Sequence, residues 1–264
     1  MTTLASVFDK ARSEGRAALV GYLPAGFPTK DGAVAAATAM VEAGCDVIEI
    51  GLPYSDPLMD GPTIQNAVHR ALTNGTRIAD VLRTVEKVAA TGAATLVMTY
   101  WNPVDRYGAE RFARDLAAAG GAGTITPDLT PEESEPWRAA SAAAGIDTVF
   151  LVAPSSTDER IRRVVECCTG FVYAASLMGV TGARETVSAA AEGLVKRTRK
   201  HTGLPVCVGL GVGTGAQAAE VAGYADGVIV GSAFIRRLLD APSEAEGLRA
   251  VGELAAELAA GVRA

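Results

Sequence analysis

The chain is poor in the features that mark several large functional classes. It has four cysteines, Cys45, Cys167, Cys168 and Cys207, and none forms a CxxC pair. That spacing offers neither a disulfide framework nor a zinc site, so buried, reduced thiols are the expectation. There are two histidines. His69 falls on an expected helix and His201 at an expected helix end, and no Ser-His-Asp arrangement is present. No Walker P-loop occurs, and no lysine sits at the end of an apolar run where a Schiff base would form. Positive charge is in deficit: the formal net charge is −6 and the pI is near 5.1. A basic face for nucleic acid or an anionic membrane is therefore not expected. No apolar run approaches the ~18 residues of a membrane span. The opening MTTLASVFDKARSEGRAALV lacks the h-region and cleavage site of a signal peptide and reads as an amphipathic helix leading into a strand. These absences predict a soluble, cytoplasmic protein.

What is present is a rhythm. The 264 residues are 49% hydrophobic and 20% charged, the balance of an ordinary globular chain with ample material for a core. Short apolar runs recur at AALVGYL (17–23), DVIEIG (46–51), ATLVMTY (94–100), GTIT (123–126), DTVFLVA (147–153), FVYAAS (171–176), PVCVGLG (205–211) and GVIVGS (227–232). Between them lie Ala-rich segments of helical spacing, such as KDGAVAAATAMVEAG, GAERFARDLAAAG, PEESEPWRAASAAAG and TDERIRRVVECC. Pro131 followed by Glu132 and Glu133 reads as a helix start. Strands apolar on both faces, each followed by a helix, imply a parallel sheet covered on both sides. Eight such units in this length suit an α/β fold of the (β/α)8 TIM barrel type. The alternative is an open, doubly wound sheet. Extra helices are expected at the N-terminus, after strand two (61–72 and 78–91) and after strand eight (232–240 and 243–261). No linker or low-complexity tract interrupts the chain, so residues 1–264 read as one domain.

In a barrel, active sites lie at the C-terminal ends of the strands, and there the informative residues gather. Glycines cluster after three successive strands: Gly179 and Gly182 around Thr181 in MGVTGAR, Gly209 to Gly215 in GLGVGTG, and Gly231 before Ser232 in VGSAF. Backbone N–H groups exposed by glycine, together with a helix N-terminus, suit a phosphate, although glycine also serves tight βα turns. Two carboxylates raise a sharper question. Alternation puts Val47, Glu49 and Gly51 on one face of strand two. Facing the barrel interior, Glu49 would be desolvated and suited to acid–base work; the alternative is a structural ion pair. Asp60, before Gly61-Pro62-Thr63, is either functional or a helix cap. Asp56, in a Ser-Asp-Pro turn, carries the same ambiguity. Tyr22, Tyr100 and Tyr173 fall at strand ends, either as packing or as the lining of a pocket for a flat ligand.

The stretch EIGLPYSDPLMDGPTIQNA closely resembles the signature of the tryptophan synthase alpha subunit family. GYLPAGFP, MTYWNPV, PDLTPEES, GVTGAR, GLGVGTG and VGSA match the family pattern in order, so the resemblance spans essentially the whole chain. It implies a (β/α)8 barrel that cleaves indole-3-glycerol phosphate to indole and glyceraldehyde 3-phosphate, a retro-aldol cleavage without metal or cofactor. By that resemblance Glu49 is the catalytic acid–base, protonating indole C3 and helping to take the proton from the neighbouring hydroxyl. Asp60 is the carboxylate that bonds the indole N–H. Tyr173 lies near the substrate, and Thr181 helps to close the site and orient Asp60. Gly182, Gly211, Gly213, Gly231 and Ser232 fall on the phosphate cradle, and Tyr22, Ile64, Tyr100 and Ile125 on the indole pocket. Pro53, Asp56, Asn102, Pro103 and Asp128 match the family's docking side. The resemblance implies an αββα complex in which a beta subunit, carrying pyridoxal phosphate, receives the indole.

Three departures stand out from the family pattern. Gly21-Tyr22-Leu23-Pro24 replaces a common Pro-Phe-Ile/Val-Thr, Phe27 replaces a frequent Asp, and Leu210 and Gly213 stand where Phe and Ser are common. They bear on the pocket and on the phosphate contact at Gly213, and leave both carboxylates in place. The competing expectations are another phosphosugar barrel, which would place lysines or a Cys/Asp pair at strand ends; a free-standing indole-glycerol phosphate lyase; and a barrel retained mainly to activate a beta subunit.

Overall fold

The computed structural model describes residues 2–176, 184–209 and 211–264, excepting the side chains of 184–188. Its strands are β1 (Ala18–Pro24), β2 (Val47–Gly51), β3 (Ala94–Met98), β4 (Gly123–Ile125), β5 (Asp147–Val149), β6 (Leu151–Val152), β7 (Val172–Ala175), β8 (Val206–Gly209) and β9 (Gly227–Val230). Every recorded pairing is parallel, in the order β5-β4-β3-β2-β1-β9-β8-β7-β6. The two ends of that order are one extended segment interrupted at Phe150. Its first half pairs with β4, Val149 opposite Ile125, and its second half with β7, Leu151 opposite Tyr173. At the break, the Phe150 carbonyl accepts the Tyr173 N–H at 3.1 Å while the Phe150 N–H donates to Cys168 Sγ at 3.4 Å. The sheet therefore closes into a barrel of eight staves, and the open doubly wound alternative is set aside.

Alternation divides the strands between two cores. Val20, Val47, Leu96, Ile125, Val149, Cys207 and Ile229 fill the barrel interior. Leu19, Ile48, Ile50, Val97, Val208 and Val228 pack outward against the helices. The amphipathic helix α1 (Leu4–Ser13) plugs the N-terminal end: Leu4, Val7, Phe8 and Ala11 join the interior cluster, and Phe8 meets Phe171 edge-on at 5.7 Å. Ion pairs tie the same floor together. Arg16, ahead of β1, makes two 2.8 Å bonds to Asp46, ahead of β2, and Asp46 Oδ2 also accepts the Leu19 N–H at 2.9 Å.

Around the sheet run α2 (Lys30–Glu42), α3 (Pro62–Thr73), α4 (Ile78–Ala89), α5 (Trp101–Tyr107), α6 (Ala109–Ala118), α7 (Glu135–Ala144), α8 (Asp158–Val165), α9 (Arg184–Thr198), α10 (Gly215–Ala222), α11 (Ser232–Asp240) and α12 (Glu244–Gly261). Thr3, Thr29, Thr157, Thr214 and Ser243 cap α1, α2, α8, α10 and α12 with their hydroxyls, each contributing about 1 kcal/mol. The extra helices foreseen at the N-terminus and after the second and last strands are α1, α3, α4, α11 and α12. Two local expectations are corrected. The helix expected from Pro131 begins at Glu135: Glu133 N–H bonds to Thr130 O at 3.1 Å and Ser134 Oγ to Pro131 O at 2.9 Å, closing a turn first. The strand expected over 94–100 ends at Met98, because Tyr100 already serves as N-cap of α5. That helix has no cap of its own. Asp128, beyond β4, supplies one by accepting the Trp101 N–H at 2.9 and 3.1 Å. Among the described residues no helix is long and apolar enough to cross a membrane.

Candidate active site

Glu49 is at the centre of the mouth. It occupies β2, whose five residues are all buried, and its register partners are Tyr22 on β1 and Leu96 on β3. Its exposure is 1%. Neither Oε1 nor Oε2 has a hydrogen-bond partner among the described residues, and no salt bridge reaches it there. The structural ion pair considered from sequence is thus not found among them. Burial in apolar surroundings disfavours the charged form and pushes the Glu49 carboxyl up to about 8. At neutral pH it holds a proton. Its charge, once formed, is felt by Tyr22, Tyr173 and Cys207, so these three surround it.

Asp60 comes from the loop between β2 and α3. The cap reading fails, since the N-cap of α3 is Gly61 and no side-chain cap bond is made. Its backbone carbonyl instead accepts Gln65 Nε2 at 2.7 Å, which frees the carboxylate to turn inward. There it is half-buried, with the Tyr100 hydroxyl beside it. Burial pushes its pKa up, and the Tyr100 hydroxyl pulls against that rise. Both carboxylates act on Tyr22, whose phenol is pushed well above its ordinary value by burial first, then by Asp60 and Glu49. Tyr22 therefore stands between them, and Tyr100 and Tyr173 act on the same ring. Ile64, in the first turn of α3, is half-buried, and Ile125 is fully buried in the interior core.

Glycine makes room for these rings. A Cβ on Gly51 would run into Tyr22, at 2.8 Å from two ring carbons, and one on Gly231 would meet Tyr22 Cδ1 at 3.0 Å. A Cβ on Gly209 would collide with Tyr173 at 2.8 and 2.9 Å. Several strand-end glycines thus serve the tyrosines, a role the sequence reading assigned wholly to turns or phosphate.

The phosphate end is partly described. Gly231 is the N-cap of α11 and lends no side chain to its first turn, which Ser232 opens. The leading N–H groups of that helix face an anion-favouring dipole. Gly211 holds a positive φ of 78°, a conformation glycine adopts without strain. The Gly213 N–H donates to Gln217 Oε1 at 2.8 Å, while Thr214 Oγ1 accepts the Gln217 N–H at 3.3 Å. This variant of a capping box commits Gly213 to α10. Thr181, Gly182 and Leu210 lie outside the described residues.

The five docking-side residues divide. Asp56 and Asn102 are exposed and Pro103 half-buried, whereas Pro53 is buried. Asp128 is half-buried, with its carboxylate engaged as the cap of α5. Beside them, Leu58 and Met59 are the large hydrophobic residues most open to solvent among those described, at 77% and 48%. Sequence reasoning passed over Tyr54 and Gln217. Tyr54 is another aromatic two residues from the buried Leu52, and the Thr214-x-x-Gln217 spacing was the available signal for the second. Phe27 is fully buried, so the departure there adds to the core rather than to the mouth.

The family model described as tryptophan synthase alpha chain matches residues 8–263. The tryptophan synthase alpha chain of Salinispora arenicola is 66% identical over 263 residues, covering 100% of this chain and 98% of that one. That of Thermobifida fusca is 62% identical over 267 residues, covering 100% and 99%. A crystal structure of tryptophan synthase from M. tuberculosis is similar with a TM-score of 0.92 at 53% identity, covering 100% of both chains. Subunit alpha from Legionella pneumophila has a TM-score of 0.90 at 31% identity, over 99% of this chain and 98% of that one.

Proposed function

This chain belongs to the tryptophan synthase alpha chain family, and from that premise we propose that Glu49 and Asp60 carry out the alpha reaction. That reaction is the retro-aldol cleavage of indole-3-glycerol phosphate to indole and glyceraldehyde 3-phosphate. The indole passes to the beta subunit, where pyridoxal phosphate resides; this chain has no cofactor of its own. Residues 1–264 act as one domain, and the protein works in the cytoplasm.

Two carboxylates are needed because the reaction first builds and then discharges a cation. Glu49 gives its proton to indole C3, and positive charge appears on the ring nitrogen. Asp60, ionised, accepts a hydrogen bond from that N–H and stabilises the charge. Glu49, now a carboxylate, takes the proton of the side-chain hydroxyl. The C–C bond breaks, its electrons return to the indole ring, and the aldehyde leaves. One group thus gives and recovers a proton while the other stays charged, a division set by unequal environments. The observation that carries this reading is the buried Glu49, without a partner among the described residues and with its pKa pushed up to about 8. An acid of that strength holds its proton at neutral pH and is still a useful base once it has lost it.

Tyr22, Ile64, Tyr100, Ile125, Tyr173 and Thr181 line the indole side. Gly182, Gly211, Gly231 and Ser232 hold the phosphate through backbone N–H groups and the start of α11. Gly213 joins them through its shape, since its N–H serves Gln217. Asp56, Asn102 and Pro103 face the beta subunit, with Pro53 and Asp128 supporting them from behind.

The test is indole release from indole-3-glycerol phosphate, with and without the beta subunit. Glu49→Gln and Asp60→Asn are expected to fold and to lose release. Near-full turnover by Glu49→Gln would overturn the mechanism. The isolated chain is expected to be slow until the beta subunit is added, and fast turnover alone would mark a free-standing lyase instead.

A further inference from the structure

Among the described residues, Asp60 sits on a loop with few anchors. Between Pro53 and Gly61 the side-chain hydrogen bonds are Ser55 to Asp56, Met59 N–H to the Tyr100 hydroxyl, Gln65 to the Asp60 carbonyl and Asn102 to the Tyr54 hydroxyl, and the Tyr100 hydroxyl lies near enough to the Asp60 carboxylate to lower its pKa. The first of these stays within the exposed turn, and the third holds only the backbone. Among the described residues, the group that ties this part of the loop to the barrel is therefore Tyr100, buried to 5% exposure. Its hydroxyl accepts the Met59 N–H at 3.0 Å and lies beside the Asp60 carboxylate, whose pKa it lowers, so one oxygen holds the residue before Asp60 and acts on Asp60 itself.

Tyr100 is placed in turn by Tyr54. The two rings lie 5.4 Å apart, tilted by 38°, within the range of a favourable aromatic pair. The Tyr54 hydroxyl accepts Asn102 Nδ2 at 3.1 Å, and Asn102 stands in the first turn of α5, just after Tyr100. The Tyr54 ring is thus gripped at its edge by one side chain and along its face by another.

We propose that Tyr54 is a positioning residue for Asp60, held by Asn102 and acting through the Tyr100 ring and hydroxyl. This rests on Asp60 being a catalytic carboxylate. Asn102 is exposed and reaches Asp60 through three contacts in series, Asn102–Tyr54, Tyr54–Tyr100 and Tyr100–Asp60. The titratable groups that face Asp60 among the described residues are Tyr22 from β1 and Tyr100 after β3. Tyr100 lowers the Asp60 pKa, so loosening Tyr100 raises it.

The experiment is the pH dependence of kcat/KM for indole release by the αβ complex. In Tyr54→Leu the acid limb is expected to move to higher pH by about half a unit or more, with kcat down about 10-fold and KM changed far less, as expected for a misplaced group rather than lost binding. Tyr54→Phe keeps the ring and is expected to bring most of the limb back. Should Tyr54→Leu not fold, Tyr100→Phe removes the same restraint one link later and is expected to shift the limb in the same direction. An acid limb at its wild-type position in folded Tyr54→Leu, or in Tyr100→Phe, overturns the proposal. Asp60→Asn separates the two levels. If it still releases indole, the catalytic reading of Asp60 fails. If it is inactive while the Tyr54 variants keep the wild-type limb, only the positioning role fails.

Discussion

Glu49→Gln should make the protein more stable at alkaline pH relative to wild type, by an amount the structure sets. Wild-type Glu49 ionises near 4.5 when unfolded and near 8 when folded. Between those values the folded state keeps a proton that the unfolded state has released, so stability falls as pH rises. The slope is about 1.4 kcal/mol per pH unit, giving about 5 kcal/mol across the whole window. Stability from this group is complete below pH 4.5 and gone above pH 8. Glutamine cannot ionise and escapes the slope. It keeps a buried polar group without a partner, which adds a pH-independent cost of about 1–3 kcal/mol. The sensitive quantity is therefore the difference between the two proteins as a function of pH, in which every other titrating group cancels. Urea unfolding from pH 5 to pH 9 should show that difference moving in favour of the variant by about 4 kcal/mol, most of the full effect. For a chain of this size that corresponds to roughly 8–16 °C in Tm. A difference that stays flat with pH would mean that Glu49 is solvated or paired when folded, and the proton-donor role would lose its basis.

The same group sets the alkaline limb of catalysis: kcat/KM for indole release should fall above about pH 8 as Glu49 loses its proton in the free enzyme. An unchanged rate at pH 9.5 would contradict this. Gly209→Ala drives a methyl into the Tyr173 ring and should lower kcat/KM by about 10-fold or more with near-normal circular dichroism. Wild-type kinetics would show that Tyr173 has room to retreat. Asp46→Ala strips Arg16 of two bonds at 5% side-chain exposure while leaving it Glu14 at 2.7 Å and should cost about 1.5–3 kcal/mol in urea unfolding, with active-site pH dependence unmoved.

What the sequence disclosed and what it hid follow from how local each determinant is. β2 reads as a strand because VIEIG is apolar with β-branched residues on its outward face, and its period of two already put Glu49 opposite Ile48 and Ile50. Helices α2, α8 and α12 read as helices because an Ala-rich or amphipathic run follows a Thr or Ser cap. Helix α5 was illegible for the opposite reason: its cap, Asp128, lies 27 residues away. The helix expected at Pro131 started late because Ser134 and Thr130 drew the chain into a turn. At the site, residue type and strand position suggested Glu49 and Asp60, whereas the Tyr54–Tyr100 contact joins two loops and leaves no local signature. The resemblance placed Gly213 on a phosphate cradle, and only three-dimensional structure could show that its N–H also bonds Gln217.

The acidic residues also sort along the barrel axis, and that sorting argues for function at one end. At the floor, Asp46 is bound by Arg16 and by the Leu19 N–H, and Asp226 by Arg199 and the Val206 N–H, each at 2.8–2.9 Å. These carboxylates bind pairs of staves together. At the mouth, Glu49 has no partner among the described residues, and Asp60 has one tyrosine hydroxyl. The fold demonstrably satisfies carboxylates where it uses them for stability. A carboxyl buried within a strand, with no partner among the described residues, costs stability that a methionine of similar size would restore. Under the proposed reaction the substrate supplies what the protein withholds: an indole C3 to take the proton of Glu49, and a ring N–H to pair with Asp60.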